Sequence, residues 1–297
     1  MSTPEKPLPF TGERFTPECV REIWYEHFAR YAFVRPFLRG KRVLDAACGE
    51  GYGSALLASE AGSVLGMDID ETAIAHARAR YGAHATLAFE RGDATSLALD
   101  AASFDAVVSF ETLEHVAAQE SLIAGFARVL REDGVLFVSS PDKRTYSDLA
   151  GFRNEFHVRE LYRDELLALL APHFPHVRLF GQKLLFQSAI WALDAPLDSV
   201  ATATTTAQQP AAGLGYEPLY FIAVCSKKPL DLVLPAVALF GDREETVYQH
   251  YNSEVRKNMA AGARIAELEA QLSALRTPVP AAAAAAAPWW RRWFRRG

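Results

Sequence analysis

From Arg42 onward, short apolar runs alternate with amphipathic or Ala-rich stretches. KRVLDAAC is an apolar run that ends at a glycine-containing turn, and the spacing predicts a helix over Tyr52–Ser59. SVLGMDID predicts a second strand, followed by an Ala-rich helix over Glu71–Tyr81. ATLAFERGDA predicts a third strand. SFDAVVSFE predicts a fourth, with Val107, Val108 and Phe110 buried. A helix over Gln119–Leu130 leads to a fifth strand, GVLFVSSP. Repeated strand–helix units of this length predict an α/β fold with a parallel sheet covered on both faces. Right-handed crossovers make such a sheet doubly wound.

The flanks have different patterns. Residues 1–18 are Pro-rich and predicted to be extended. Residues 19–38 predict an amphipathic helix with Ile23, His27, Arg30, Tyr31 and Val34 at helical spacing, which Pro36 stops or restarts. After Pro141 the rhythm loosens. A helix over Arg159–Leu170 precedes HVRLFGQKLL and PLYFIAVCSK, two strands expected to pair as an antiparallel edge. That makes a seven-stranded, mostly parallel sheet. Residues 194–215, rich in Ala, Thr, Gln and Pro, read as a mobile loop. In the helix expected over Ser253–Arg276, Ile265, Leu268, Leu272 and Leu275 follow 3-4-3 spacing, like coiled-coil a and d positions. The expected organisation is a cap segment and helix (1–40), an α/β domain (41–228), a connector (229–252), a short coiled-coil helix (253–276), and a linker with a basic aromatic tail (277–297).

Composition narrows the chemistry. Half of the 297 residues are hydrophobic, enough for one sizeable core. Net charge is −5, although four arginines sit in the last seven residues. A body this acidic does not suit wrapping nucleic acid, which needs a basic face. Three cysteines give neither a disulfide framework nor metal-ligand spacing, which fits a reducing cytoplasm. MSTPEKPLPF has no apolar run of the signal-peptide kind, and no stretch reaches the ~18 apolar residues of a spanning helix.

Candidate binding residues fall at successive strand ends. VLDAACGEGYG places Asp45 at the end of the first strand, then a tight turn with Ala47, Gly49 and Gly51 before a helix. Glycines there let the backbone approach a ligand. Asp68, with Ile69 after it, closes the second strand, where a carboxylate can accept both hydroxyls of a ribose. Asp93 and Ala94 follow the third strand and suit an adenine amino group. Phe110 and Glu111 follow the fourth and would border the same ligand. Singly, each has a plainer reading: Asp45 as a helix cap, the glycines as turn formers. Their recurrence at four strand ends points to one site. The GxGxxG of nicotinamide enzymes is absent, because Ala47 stands where its first glycine would be.

On these residues the chain resembles the class I S-adenosylmethionine (SAM)-dependent methyltransferases over roughly 40–228. VLDAACGEGYG, GMDID, RGDA and SFDAVVSFETLEHV look like their four motifs. The resemblance implies a Rossmann-like fold and SAM as cofactor. It implies Asp45, Gly49 and Gly51 around the methionine part, Asp68 on the ribose, and Asp93 and Ala94 on adenine. The segments TGERFTPE, YEHFARYAFV, ACGEGYGSALLA and NEFHVRELYRDE look like bacterial methyltransferases of surface-polysaccharide and O-antigen gene clusters. That resemblance implies a small-molecule or glycan acceptor, with a sugar hydroxyl favoured. N-methylation, quinone-type O-methylation, or a non-catalytic scaffold are the alternatives.

His157, after the fifth strand, is the candidate general base for a hydroxyl acceptor, because imidazole titrates near neutral pH. A cap or core contact would also explain it. His27 and Tyr31 are candidates for lining the pocket, with ordinary amphipathic packing as the alternative. Glu111, Glu114 and His115 could in principle gather a metal. Acids at a helix N-terminus explain them more simply, so no metal ligand is assigned. In the tail, Trp289, Trp290, Trp293 and Phe294 alternate in pairs with Arg291, Arg292, Arg295 and Arg296. As a helix, that pattern would suit peripheral contact with an anionic membrane through Trp289–Arg296. A homodimer through 261–276 would present two tails. The expected location is the cytoplasm, with possible contact at the inner membrane face.

Overall fold

The computed structural model describes residues 22–190, 193, 200–206 and 209–276. The N-terminal segment expected to be extended, the linker and the Trp289–Arg296 tail lie outside the described residues. Two units are distinct, one through Arg243 and one from Glu244.

The first unit is built on a seven-stranded sheet. Its strands are β1 (Arg42–Ala46), β2 (Ser63–Asp68), β3 (Leu87–Arg91), β4 (Phe104–Ser109), β5 (Leu130–Pro141), β6 (His176–Gln182) and β9 (Tyr220–Ser226). Their order is β3-β2-β1-β4-β5-β9-β6. β1 to β5 run parallel, and β9 lies antiparallel between β5 and β6, as the apolar runs predict. The sheet is mostly parallel and Rossmann-like. Chain order reverses between β1 and β4, and a crevice opens at the carboxyl ends of strands at such a switch point.

Side chains alternate across the sheet, so β1 feeds two cores. Leu44 joins Leu122, Ile123 and Phe126 of α4 (Gln119–Val129) and Leu166 and Leu170 of α5 (Arg163–Leu170). Val43 joins the other face with Tyr31 and Val34 of α1 (Glu22–Val34), Leu57 of α2 (Tyr52–Ala58), and Ile74 and Ala77 of α3 (Glu71–Tyr81). Burial on both faces is why the parallel strands read as continuous apolar runs rather than alternating ones.

Several boundaries differ from expectation. The leading helix changes to a 3-10 turn over Arg35–Leu38, with Pro36 in its first turn, where a missing N–H costs nothing. α5 starts at Arg163, not Arg159, because Leu161 bridges to Asp142 and the Tyr162 N–H donates to Glu165 Oε2 at 3.0 Å. Within the segment read as one loop, β7 (Ala203–Thr206) and β8 (Gln209–Ala212) form an antiparallel hairpin, which the β-branched threonines favour.

The second unit consists of α6 (Thr246–Arg276), 31 residues long. It begins inside the expected connector, beyond Pro235 and Gly241, where residues 246–252 hold no Gly or Pro to interrupt a helix. Ile265, Leu268, Leu272 and Leu275 are all exposed on it. Among the described residues no helix is long and apolar enough to cross a membrane.

Candidate active site

The chain leaves β1 through a turn that only small residues allow. Ala47, Gly49 and Gly51 all adopt positive φ, at 60°, 56° and 91°. Ala47 is the strained one of the three, since a Cβ disfavours this region by about 1–2 kcal/mol. Backbone bonds hold the turn: Cys48 N–H donates to Met67 O at 2.9 Å, and Gly49 N–H donates to Asp68 Oδ2 at 2.8 Å. Asp68 Oδ1 accepts from Asp70 N–H at 2.9 Å. One carboxylate thus joins the tips of β1 and β2, with lone pairs remaining for a ligand's hydroxyls.

These groups open into a cavity of about 450 Å³, within the usual range for a small-molecule site. Of the candidate residues, Ala47, Gly49, Asp68, Ile69, Asp93, Ala94, Phe110 and Glu111 all line it, as do His27 and Tyr31. So four strand ends and the leading helix meet at one place. Asp93 caps a short 3-10 turn, its Oδ1 accepting from Thr95 N–H and Oγ1 at 2.8 and 2.7 Å. Those two bonds hold its carboxyl below the usual range. A larger cleft of about 1110 Å³ runs along edge strand β6 past Gln182, Pro218 and Phe240, away from the β1–β4 tips.

Three candidates stand outside the cavity lining, each for a physical reason. Asp45 is fully buried behind the turn, accepting from Ser54 Oγ at 2.6 Å and Tyr31 Oη at 3.3 Å. Burial pushes its pKa up to about 7. It ties α1 and α2 to β1. Gly51 faces the protein interior, where a Cβ would lie 2.7 Å from the Phe89 ring and 2.8 Å from Ala77 Cβ. His157 stands one ring behind the wall. It meets His115, which does line the cavity, edge to face at 5.0 Å. Its Nδ1 is 2.6 Å from Glu160 Oε1 and its Nε2 is 3.1 Å from Asn154 Nδ2.

Sequence reasoning missed the charged wall opposite the cofactor turn. Arg30 is 1% exposed, yet its Nη1 lies 2.8 Å from Glu111 Oε1 and its Nε donates to Gln182 Oε1 at 2.7 Å. Its guanidinium also covers the Tyr220 ring at 4.4 Å. Burial alone would raise the Glu111 carboxyl, but Arg30, His27 and His115 outweigh it and hold it low. Glu111 itself has φ 51°, and Ser139 Oγ accepts its backbone N–H at 2.9 Å. Burial lowers His27 to about 4, with Arg30 adding to the effect, so its ring is neutral at physiological pH. Burial, and then the Glu111 charge, push Glu114 well up. Glu50 was also missed. It is buried among His76, Arg80 and Tyr81, at 2.9, 3.3 and 3.2 Å, and anchors the glycine turn to α3. Arg30 was visible only as one position on a helical face, and no pattern in the chain announces its partners.

A family profile described as a methyltransferase domain matches residues 44–138, from β1 into β5. The fold is that of the class I SAM-dependent methyltransferases. SAM is the cofactor this fold takes. A Mycobacterium tuberculosis protein named "Probable S-adenosylmethionine-dependent methyltransferase" is 40% identical over 166 residues, 55% of this chain and 60% of that one. A Sinorhizobium medicae protein named as a ubiquinone biosynthesis O-methyltransferase is 34% identical over 122 residues, 41% of this chain and 49% of that one. The chain therefore spans about half to three fifths of these relatives. Among solved structures, the YcgJ protein of Bacillus subtilis superposes with a TM-score of 0.51 at 18% identity, over 68% of this chain and 100% of that one. The methyltransferase fold has room for its cofactor here. The Ala47–Gly49 backbone has no bulky side chain at the cavity edge, and the carboxyl groups of Asp68 and Glu111 both reach the same cavity.

Proposed function

We propose that this protein transfers the methyl group of SAM to a small-molecule acceptor, a sugar hydroxyl of surface-polysaccharide biosynthesis. The observation that carries the transfer reading is the convergence of Asp68, Asp93, the Ala47–Gly49 turn and Glu111 on one cavity at the switch point. Asp68 would hold the ribose, Asp93 and Ala94 the adenine, and Phe110 and Ile69 would flank the ring. SAM supplies an activated methyl group. The chain's task is to align the acceptor oxygen with it and keep water out. α1 covers the site through Tyr31 and His27, which suits exclusion of water. His115 lines the cavity with His157 against its ring, and this pair would ease loss of the hydroxyl proton.

The sugar acceptor is supported by the resemblance of TGERFTPE and NEFHVRELYRDE to methyltransferases of polysaccharide gene clusters. A quinone-type phenol is the second reading, favoured by the relatives named for ubiquinone biosynthesis. Both are oxygen acceptors. We also propose that α6 pairs with a second copy. Its exposed Ile265, Leu268, Leu272 and Leu275 occupy a and d positions, and Arg264 and Glu269 occupy g and e positions that meet in a parallel pair. The Trp289–Arg296 tail would then reach an anionic membrane twice over.

Two measurements test the transfer reading. Calorimetry of the full chain with SAM should give saturable binding, and no heat in folded protein would end the reading. Mass spectrometry of surface glycans from cells with and without the gene should reveal a missing methyl group. Unchanged glycans together with an altered quinone pool would move the acceptor to the second reading.

A further inference from the structure

We propose that Glu114, His115 and His157 form a binding site for a divalent first-row transition cation. Their donor atoms all lie within 4.8 Å of one another. Glu114 is 1% exposed, and neither of its carboxylate oxygens has a hydrogen-bond partner. Buried polar groups without partners are rare and unfavourable, so both oxygens need an occupant. A bound cation satisfies them at once.

The two imidazoles are oriented as ligands are. His115 Nδ1 is 3.1 Å from Phe156 O, and a carbonyl can only accept, so the neutral ring carries its proton on Nδ1 and its lone pair on Nε2. His157 Nδ1 faces Glu160 Oε1 at 2.6 Å, with the same consequence. Outer contacts of this kind, one to a carbonyl and one to a carboxylate, fix the tautomer and aim of metal-binding histidines. The backbone reinforces the arrangement. Val158 and Arg159 N–H both donate to Glu114 O, at 2.8 and 3.1 Å, which ties the segment carrying His157 to the turn carrying the other two groups.

Asn154 holds the His157 nitrogen that a cation would take. Its Nδ2 is 3.1 Å from His157 Nε2, and its Oδ1 accepts from Phe156 N–H at 3.1 Å. Entry of an ion displaces this amide. Glu111 is not a ligand, because Arg30 and Ser139 hold its carboxylate. The set therefore differs from the Glu111, Glu114 and His115 trio suggested by spacing alone. It takes its third donor from beyond β5. Two imidazole nitrogens and one carboxylate suit a transition ion better than magnesium or calcium. His115 also lines the cofactor cavity, so open coordination positions would lie near the acceptor.

The test is a Co²⁺ titration of the chelator-treated full chain, followed by visible absorption and calorimetry. One ion should bind per chain, with ligand-field bands. Glu114→Gln and His157→Asn should each weaken binding by about tenfold or more. Asn154→Ala should bind at least as tightly as the wild type. Circular dichroism and a cooperative melt certify each variant, and if Glu114→Gln does not fold, His157→Asn decides. Absence of Co²⁺ binding by the folded wild-type chain overturns the proposal, as does binding that His157→Asn leaves unchanged. A SAM titration on the same samples separates the two ideas: cofactor binding without Co²⁺ binding removes the metal site and leaves the methyl-transfer reading standing.

Discussion

The two walls of the cavity are made differently. The cofactor wall is mostly backbone: positive-φ residues at Ala47 and Gly49, and N–H groups bonded to the Asp68 carboxylate. The charged wall is made of side chains: Glu111, His27 and His115 line it, and buried Arg30 stands behind Glu111 as its counter-charge. Backbone walls are set by local sequence and are stiff. Charged walls depend on partners from distant segments and are held by mutual compensation. Damage to the first should therefore appear in ligand affinity, and damage to the second in stability.

The sharpest break in that comparison is Arg30→Met. It leaves the Glu111 charge uncompensated, so unfolding free energy should fall by about 3–5 kcal/mol in denaturant titration. A stable variant would mean the charged wall is not held by charge pairing. Asp68→Ala acts on the other wall. It removes the charged acceptor that joins β1 and β2 tips, and SAM affinity should fall by about 3 kcal/mol, roughly 100-fold, by calorimetry. Affinity equal to the wild type would remove Asp68 from the site.

Gly51→Ala probes the turn itself. Its φ of 91° and the ring of Phe89 both oppose a Cβ, and thermal unfolding should report a loss of about 2–3 kcal/mol. Stability should also depend on pH. Burial raises Asp45 from 3.8 to about 7, so its folded pKa lies above its unfolded one. The contribution of this group to stability is then complete below about pH 4 and is lost as pH rises through about 7. Asp45→Asn should flatten that part of the stability profile, by about 4 kcal/mol across the window. An unchanged slope would show that Asp45 ionises freely behind the turn.

The difference between the walls also explains what could be read from the chain. Ala47, Gly49, Asp68, Asp93 and Glu111 each sit at the end of an apolar run, so their convergence follows once the runs are parallel strands. Asp45 occupies the same kind of position but turns inward to Ser54 and Tyr31. Nothing local distinguishes it from Asp68, because the direction of a side chain at a strand end depends on what packs behind it. Strands β6 and β9 were legible as apolar runs, whereas the start of α5 depends on a bridge to Asp142 that no periodicity encodes.

Hydrophobic spacing and small residues at turns determined the strand sequence, the parallel core and the cofactor wall of this protein, because each is a property of neighbours along the chain. Only the tertiary structure decided that Arg30 is the counter-charge of Glu111, that Asp45 is structural, and that His157 stands beside Glu114 and His115. Those outcomes come from burial, which strengthens electrostatic interactions and makes an unpaired group costly. Burial is created by the packing of segments that the sequence keeps far apart.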